Sequence, residues 1–208
     1  MDNDSRSDAG VADPPEVSNL NIANALTVLR IVMVPLFGWL LLMHDGDRVG
    51  WRVVACVVFI LAMITDRIDG DIARSRGLVT NFGKIADPIA DKALTGMAFV
   101  GLSVIGVLWW WVTIVILVRE WGITVMRFVV MRYGVMPASR GGKIKTTLQA
   151  VAIGAYVMPF DLWDSAFATV LQAATHVVMA AAVVVTLVTA AEYVAQAVRM
   201  RREARPAE

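Results

Sequence analysis

The stretch "TDRIDGDIARSRGLVTNFGKIADPIADK", residues 65–92, lies between two strongly apolar runs and contains five aspartates: Asp66, Asp69, Asp71, Asp87 and Asp91. Asp66 and Asp69 are three residues apart, and Asp87 and Asp91 are four apart. On a helix both spacings put the side chains on one face. The end of the preceding segment and the start of the following one therefore each present a pair of carboxylates. "SRG" and "TNFG" between them supply turn residues, so the two pairs can face each other. Asp71 follows Asp69 by two residues, which points it ~200° round the helix. It is expected on a solvated face.

The flanking runs set the fold class. Hydrophobic residues make up 58% of the 208-residue chain and the mean hydropathy is +0.64, against about 45–50% apolar residues in an ordinary soluble domain. Spanning helices need about 20 apolar residues. Six candidates are read, over 26–43, 49–65, 89–108, 109–131, 146–160 and 167–198, giving an all-α integral membrane domain over 19–198. Residues 19–25 read as a short interfacial helix. Residues 1–18 are polar, acidic and Pro-containing, without the basic start and apolar core of a signal peptide, and read as a disordered cytosolic tail. Residues 199–208 read as a basic cytosolic tail. The single cysteine, Cys56, excludes an intrachain disulfide and a Cys-based metal site. A net charge of +1 gives no reason to expect a nucleic-acid partner.

Lysine and arginine are distributed asymmetrically. Residues 74–84, 132–145 and 199–208, with Arg6, hold twelve of them, whereas the alternate connections hold only Arg48 and Arg52. The positive-inside rule then places both termini and the aspartate stretch on the cytoplasmic side of the cell membrane. Trp109, Trp110, Trp111 and Trp163 fall near the opposite interface, where an aromatic belt is expected.

A charge at the bilayer centre costs about 2.5–3.5 kcal/mol, so four unpaired carboxylates would cost about 10–14 kcal/mol. They are expected in a wet cavity near the interface, neutralised by a cation. Oxygen ligands without His or Cys suit Mg²⁺, Mn²⁺ or Ca²⁺ rather than zinc. Mg²⁺ in such sites shares its carboxylates with substrate phosphates. Gly70, Ala73 and Gly83 give room for a bulky ligand near the backbone, and Arg74 can pair with a phosphate oxygen. The plainer alternative has each aspartate solvated at a helix end. It accounts for one aspartate better than for the whole constellation.

Asp66-x2-Asp69-Gly70-x2-Ala73-Arg74-x8-Gly83-x3-Asp87-x3-Asp91 resembles, position for position, the signature of the CDP-alcohol phosphatidyltransferase family. The match fixes eight residues over twenty-six positions. The resemblance implies a six-helix membrane enzyme that moves a phosphatidyl group from a CDP-linked lipid to an alcohol and releases CMP. It further implies that Asp66, Asp69, Asp87 and Asp91 hold divalent metal, Mg²⁺ or Mn²⁺, on the diphosphate, with Asp91 also the general base. Gly70, Ala73, Arg74 and Thr80 would contact the CDP moiety. A homodimer through the third and fourth spans is implied too, with Gly96 and Gly101 permitting close helix contact.

Three looser stretches bear on the acceptor: "NIANALTVLRIVMVPLF" (21–37), "REWGITVMR" (119–127) and "GKIKTTLQ" (142–149). They resemble segments of the bacterial family members that take glycerol 3-phosphate as acceptor and CDP-diacylglycerol as donor. Arg30, Arg119, Arg127, Lys143 and Lys145 are cations in or beside the cytoplasmic halves of their helices. Intramembrane charges mark functional sites by default, and a phosphorylated acceptor brings roughly two negative charges for them to hold. The plainer alternatives are a Glu120–Arg127 pair that neutralises itself, and Lys143 and Lys145 serving topology alone. Asn24 and Thr27 either bind the CDP-lipid head group or cap the first helix. Inositol phosphate and phosphatidylglycerol are the competing acceptors. A divalent-cation transporter would spread its acidic residues through the membrane depth, whereas here they gather at one end. A purely structural membrane protein leaves the signature unexplained.

Overall fold

The computed structural model describes residues 21–75, 80–130 and 140–203. Its regular elements are six α-helices: α1 (Ile22–Leu42), α2 (Val49–Ser75), α3 (Asn81–Val104), α4 (Trp110–Val130), α5 (Arg140–Val157) and α6 (Ala166–Glu203). Short 3₁₀ turns at Met43–Gly46 and Phe160–Leu162 join α1 to α2 and α5 to α6. The expected tail over 1–18 lies outside the described residues, as do residues 204–208 of the expected tail over 199–208; residues 199–203 continue α6. The expected interfacial helix over 19–25 is not a separate element where it is described: from Ile22 onward it is the first turn of α1.

Local chemistry sets the helix starts that matter for the site. Asn21 caps α1, its side chain accepting from the Asn24 backbone N–H at 2.9 Å. Thr80 caps α3, its Oγ1 accepting from the Gly83 N–H at 3.0 Å. Such caps satisfy N–H groups that a helix start leaves orphaned. The cap at Thr80 corrects one expectation. "TNFG" is not a turn, because its last three residues form the first turn of α3, and Asp87 and Asp91 lie well inside that helix. Pro88 stands between them and has no N–H to offer the preceding turn.

All six expected spans are helices, but among the described residues only three are long and apolar enough to cross a membrane on length and composition: Asn24–Gly46, Val49–Ile72 and Ala166–Arg201. The others carry too many charges. Lys84, Asp87, Asp91 and Lys92 lie in α3, Arg119, Glu120 and Arg127 in α4, and Arg140, Lys143 and Lys145 in α5.

α1 packs along α2 and α3, α5 along α6, and α6 also along α4. The interior holds Phe37, Leu41, Phe59, Phe99, Ile116 and Ile153, with the Phe37 and Phe59 rings 5.5 Å apart. The outward faces are apolar as well, with Val32, Ile64, Val118, Phe128, Val177 and Val184 exposed. In lipid such a surface gains nothing from hydrophobic association, so close packing and interhelical hydrogen bonds hold the bundle together. Ser103 and Thr113 link α3 to α4 at 2.7 Å, and Gln149 Nε2 donates to Thr186 Oγ1 between α5 and α6 at 3.0 Å. Gly101 faces Leu41 and Gly96 faces Leu117 of the same chain, so both glycines serve packing within this chain.

The three connections opposite the aspartates lie together, lining a small pocket of about 280 Å³ with Asp45, Ile105, Gly106 and Asp161. Trp109, Trp110, Trp111 and Trp163 are exposed at this end. Arg52, expected in a loop here, is instead 1% exposed in the first turns of α2. Its Nη1 donates to both Asp161 carboxylate oxygens at 2.7 Å. Its Nη2 donates to the carbonyls of Tyr156 (2.7 Å) and Met158 (3.2 Å), and its Nε to that of Val157 (3.2 Å). One buried cation thus satisfies the open carbonyls at the end of α5.

Candidate active site

At the other end, α1 places Asn24, Thr27 and Arg30 three residues apart, facing α2 and α3. All three are buried, Arg30 completely. Arg30 Nη2 donates to Asp69 Oδ2, and Nη1 pairs with Asp66 Oδ1. Thr27 Oγ1 donates to Asp87 Oδ1 at 2.7 Å, and Thr80 Oγ1 donates to Asn24 Oδ1 at 2.9 Å. α1 therefore ties the two carboxylate pairs together, as the facing arrangement requires. Asp69 has Arg30, Asp87 and Asp66 as charged neighbours; Asp91 has Asp66 and Arg30 on one side and Lys145 and Glu120 on the other. Asp71 is exposed, as its spacing predicts, but it still borders the same cavity as Asp66 and Asp69 rather than facing away from it.

Asp66, Asp69, Gly70, Asp71, Asp87 and Lys92 line a cavity of about 1440 Å³, whereas Asp91 is not part of its wall. Its other polar walls are Arg119, Glu120, Arg127, Lys145 and Tyr193, and its apolar wall includes Phe59, Ile60, Ile64, Val151 and Gly154. Aspartates, cations and an apolar wall thus share one space. The Lys145 Nζ donates to Glu120 Oε1 at 2.7 Å, and Arg119 Nη1 donates to the same oxygen at 3.0 Å. Arg119 also donates to the Thr186 carbonyl (3.2 Å) and to Thr189 Oγ1 (2.7 Å). Arg127 Nη2 donates to the Tyr193 hydroxyl at 2.8 Å. Glu120 therefore does not pair with Arg127; the two residues turn to different partners. Arg30 is absent from the cavity wall, because its guanidinium is taken up by the aspartates. Thr80 and Asn24 bind each other between α3 and α1, with Thr80 also the cap of α3. The side chains of Ala73, Arg74 and Lys143 lie outside the described residues.

The donor set fits a hard divalent cation, since it consists of carboxylate oxygens without His or Cys. Asp66 and Asp69 already share one cationic group, the Arg30 guanidinium. With Arg30 on that pair and Thr27 on Asp87, no three acidic side chains converge tightly enough to enclose an ion among the described residues.

Residues 20–190 match the family model described as CDP-alcohol phosphatidyltransferase. The chain belongs to the CDP-alcohol phosphatidyltransferase family. It is accordingly a membrane transferase of phospholipid synthesis, in a family that generally uses divalent metal. Among its relatives is the "probable phosphatidylglycerophosphate synthase" of Mycobacterium tuberculosis, 48% identical over 96% of this chain and 95% of the relative. The CDP-diacylglycerol–glycerol-3-phosphate 3-phosphatidyltransferase of Bacillus subtilis is 37% identical over 71% of this chain and 83% of its own length. The CMP-forming cardiolipin synthase of Streptomyces coelicolor is 35% identical, over only 57% of this chain.

Sequence reasoning missed several residues of this phosphatidyltransferase site. Lys92 donates to Thr124 Oγ1 at 2.5 Å and lies 5.0 Å from the Trp121 ring centroid, joining α3 to α4. Tyr193 carried no local signal, as it stands alone in the apolar pattern of α6. Arg67, beside Asp66, also lines the cavity.

Proposed function

We propose that this chain transfers a phosphatidyl group from CDP-diacylglycerol to sn-glycerol 3-phosphate, giving phosphatidylglycerophosphate and CMP. The observation that carries the reading is the convergence of Arg119, Arg127 and Lys145 on the same cavity as Asp66, Asp69 and Asp87, with Lys145 also a charged neighbour of Asp91. A phosphorylated alcohol brought to those cations has its free hydroxyl near the carboxylates. The names of the Mycobacterium tuberculosis and Bacillus subtilis relatives support the same acceptor.

In the proposed reaction the acceptor hydroxyl oxygen attacks the phosphorus that carries diacylglycerol. A new P–O bond forms there, the P–O bond to CMP breaks, and CMP leaves with that electron pair. Asp91 takes the hydroxyl proton as general base, which makes a poor nucleophile competent at neutral pH. Asp66, Asp69, Asp87 and Asp91 would hold a divalent ion, Mg²⁺ or Mn²⁺, and its chemistry there is to supply positive charge to the diphosphate. Gly70 leaves room for the CDP moiety, with Ala73, Arg74, Thr80, Asn24 and Thr27 assigned to the same head group. Arg119, Arg127 and Lys145, with Lys143, hold the acceptor phosphate. Arg30 acts as counter-ion to Asp66 and Asp69 rather than as a phosphate ligand. The apolar wall admits the lipid chains from the side.

The same reading has six membrane crossings, both termini and the site on the cytoplasmic side of the cell membrane, and a homodimer through α3 and α4. The lysine and arginine asymmetry supports the orientation. Exposed Val100, Val104, Trp111 and Val118 support the dimer face.

Purified protein is given Mg²⁺ and CDP-diacylglycerol with glycerol 3-phosphate, inositol phosphate or phosphatidylglycerol, and CMP is measured. CMP with glycerol 3-phosphate is expected. CMP only with one of the other two overturns the acceptor, and none with any, from folded protein, overturns the reaction.

A further inference from the structure

The two arginines of α4 are held very differently. Arg119 has three partners: the Thr186 carbonyl, Thr189 Oγ1 and Glu120 Oε1. These fix its guanidinium from two helices. Arg127 has one hydrogen-bond acceptor among the described residues, the Tyr193 hydroxyl at 2.8 Å. Its guanidinium carbon also lies 4.8 Å from the Tyr193 ring centroid, close enough for a cation–π contact. Its Nε is buried without a hydrogen-bond partner among the described residues. A long, flexible side chain so held takes its direction from the one group that binds it.

Tyr193 is suited to that task. It is only 4% exposed on α6, yet it reaches the cavity wall beside Arg127. Its ring also faces Arg119, at 6.0 Å. Thr186, Thr189 and Tyr193 recur at spacings of three and four, so they form one stripe of α6 directed at α4. The stripe ends beyond residue 190, where the match to the family model stops.

We infer that Tyr193 is a positioning residue of the acceptor site: its hydroxyl and ring hold the Arg127 guanidinium toward the phosphate of a phosphorylated alcohol. This rests on the assignment of Arg127 to the acceptor phosphate. Tyr193 touches neither substrate nor reacting atoms and acts through Arg127. Losing the hydroxyl leaves Arg127 stacked but free to swing. Losing the ring releases it altogether.

The test is steady-state kinetics on the full-length protein with CDP-diacylglycerol and glycerol 3-phosphate, for Tyr193→Phe, Tyr193→Leu, Arg127→Ala and the Tyr193→Phe/Arg127→Ala double variant. Tyr193→Phe is expected to raise KM for the acceptor about tenfold, the value of one charge-assisted hydrogen bond. Tyr193→Leu should raise it further. KM for the CDP-lipid and the melting temperature should not move with Tyr193→Phe. In the Arg127→Ala background the Tyr193→Phe change should add nothing, since its target is gone. An unchanged acceptor KM in Tyr193→Phe, or effects that multiply in the double variant, overturns the inference. If the wild type turns over with inositol phosphate instead, the same comparison is run with that acceptor. The choice of alcohol and the role of Tyr193 therefore fail separately.

Discussion

Replacing Arg30 by glutamine tests the carboxylate site without relying on turnover. In the folded chain Arg30 is fully buried and its guanidinium serves Asp66 and Asp69, the latter only 3% exposed. Glutamine keeps a polar head but removes the charge. Breaking a buried ion pair by deleting one partner costs about 3–5 kcal/mol, because the other charge stays buried without compensation. For a chain of this length that corresponds to roughly 10 °C in melting temperature. The loss should be largest in metal-free buffer, where nothing else neutralises the pair.

A divalent ion that uses the same two carboxylates changes the outcome. In the wild type the ion competes with Arg30; in Arg30→Gln it has no competitor. Binding at a hundred times its Kd stabilises a protein by about 2.7 kcal/mol. The Mg²⁺-dependent gain should therefore be larger in Arg30→Gln than in the wild type, and the gap between the two proteins should narrow as Mg²⁺ rises. Thermal unfolding of both proteins in one detergent, with chelator and then over a Mg²⁺ series, reads this directly. An equal gap with and without Mg²⁺ would show that Asp66 and Asp69 are not where the ion goes.

Asp91→Asn is expected to abolish CMP release while retaining CDP-diacylglycerol binding, measured by equilibrium titration; residual turnover would remove Asp91 from the role of base. Arg52→Met should cost about 3–5 kcal/mol in unfolding experiments, because the Asp161 carboxylate and three carbonyls at the end of α5 lose their donor. Its KM values should stay unchanged, since Arg52 lies at the far end of the bundle from the aspartates. Gly83→Ala places a Cβ 3.1 Å from Asn24 Oδ1 and 3.3 Å from Thr80 Oγ1. The expected cost is about 1–3 kcal/mol, with a raised KM for the CDP-lipid measured in the CMP assay.

The part of the site legible in the sequence is the part written at helical spacing. Asp66 with Asp69 and Asp87 with Asp91 lie within a turn of each other, so their shared faces follow from chain geometry alone. The six helices were legible for a different reason, the length of their apolar runs. Pairings between distant helices were not. Nothing local distinguishes Arg30, bound to α2, from Arg127, bound to α6. Glu120 and Arg127 sit nearly in line on α4, and only the approach of α5 shows that Lys145 takes the carboxylate instead. Arg52 reads as a loop cation until the end of α5 is seen to need its donors. Residues 81–83 read as a turn because Asn and Gly favour turns, but the cap from Thr80 and the packing of α1 outweigh that preference.

The charge map of the cavity gives a physical reason for this division. With every group ionised, Asp66, Asp69, Asp71, Asp87 and Asp91 together with Arg30, Arg67 and Lys92 leave two negative charges on one side. Arg119, Arg127, Lys145 and Glu120 leave two positive charges on the other. A phosphate monoester carries about −1.5 to −2 at neutral pH, so the second side is matched to it. The first side retains enough negative charge to draw a divalent cation after Arg30 has neutralised one carboxylate. Neither set is tolerable deep in lipid, yet each supplies the opposite charge that the other lacks across one wet space. Several of the charges that disqualify α3, α4 and α5 as simple apolar spans, among them Asp87, Lys92, Arg119, Glu120, Arg127 and Lys145, line that same space. α1, with only Arg30, and α2 and α6, whose charges gather toward their ends, meet the length and hydropathy of ordinary crossings.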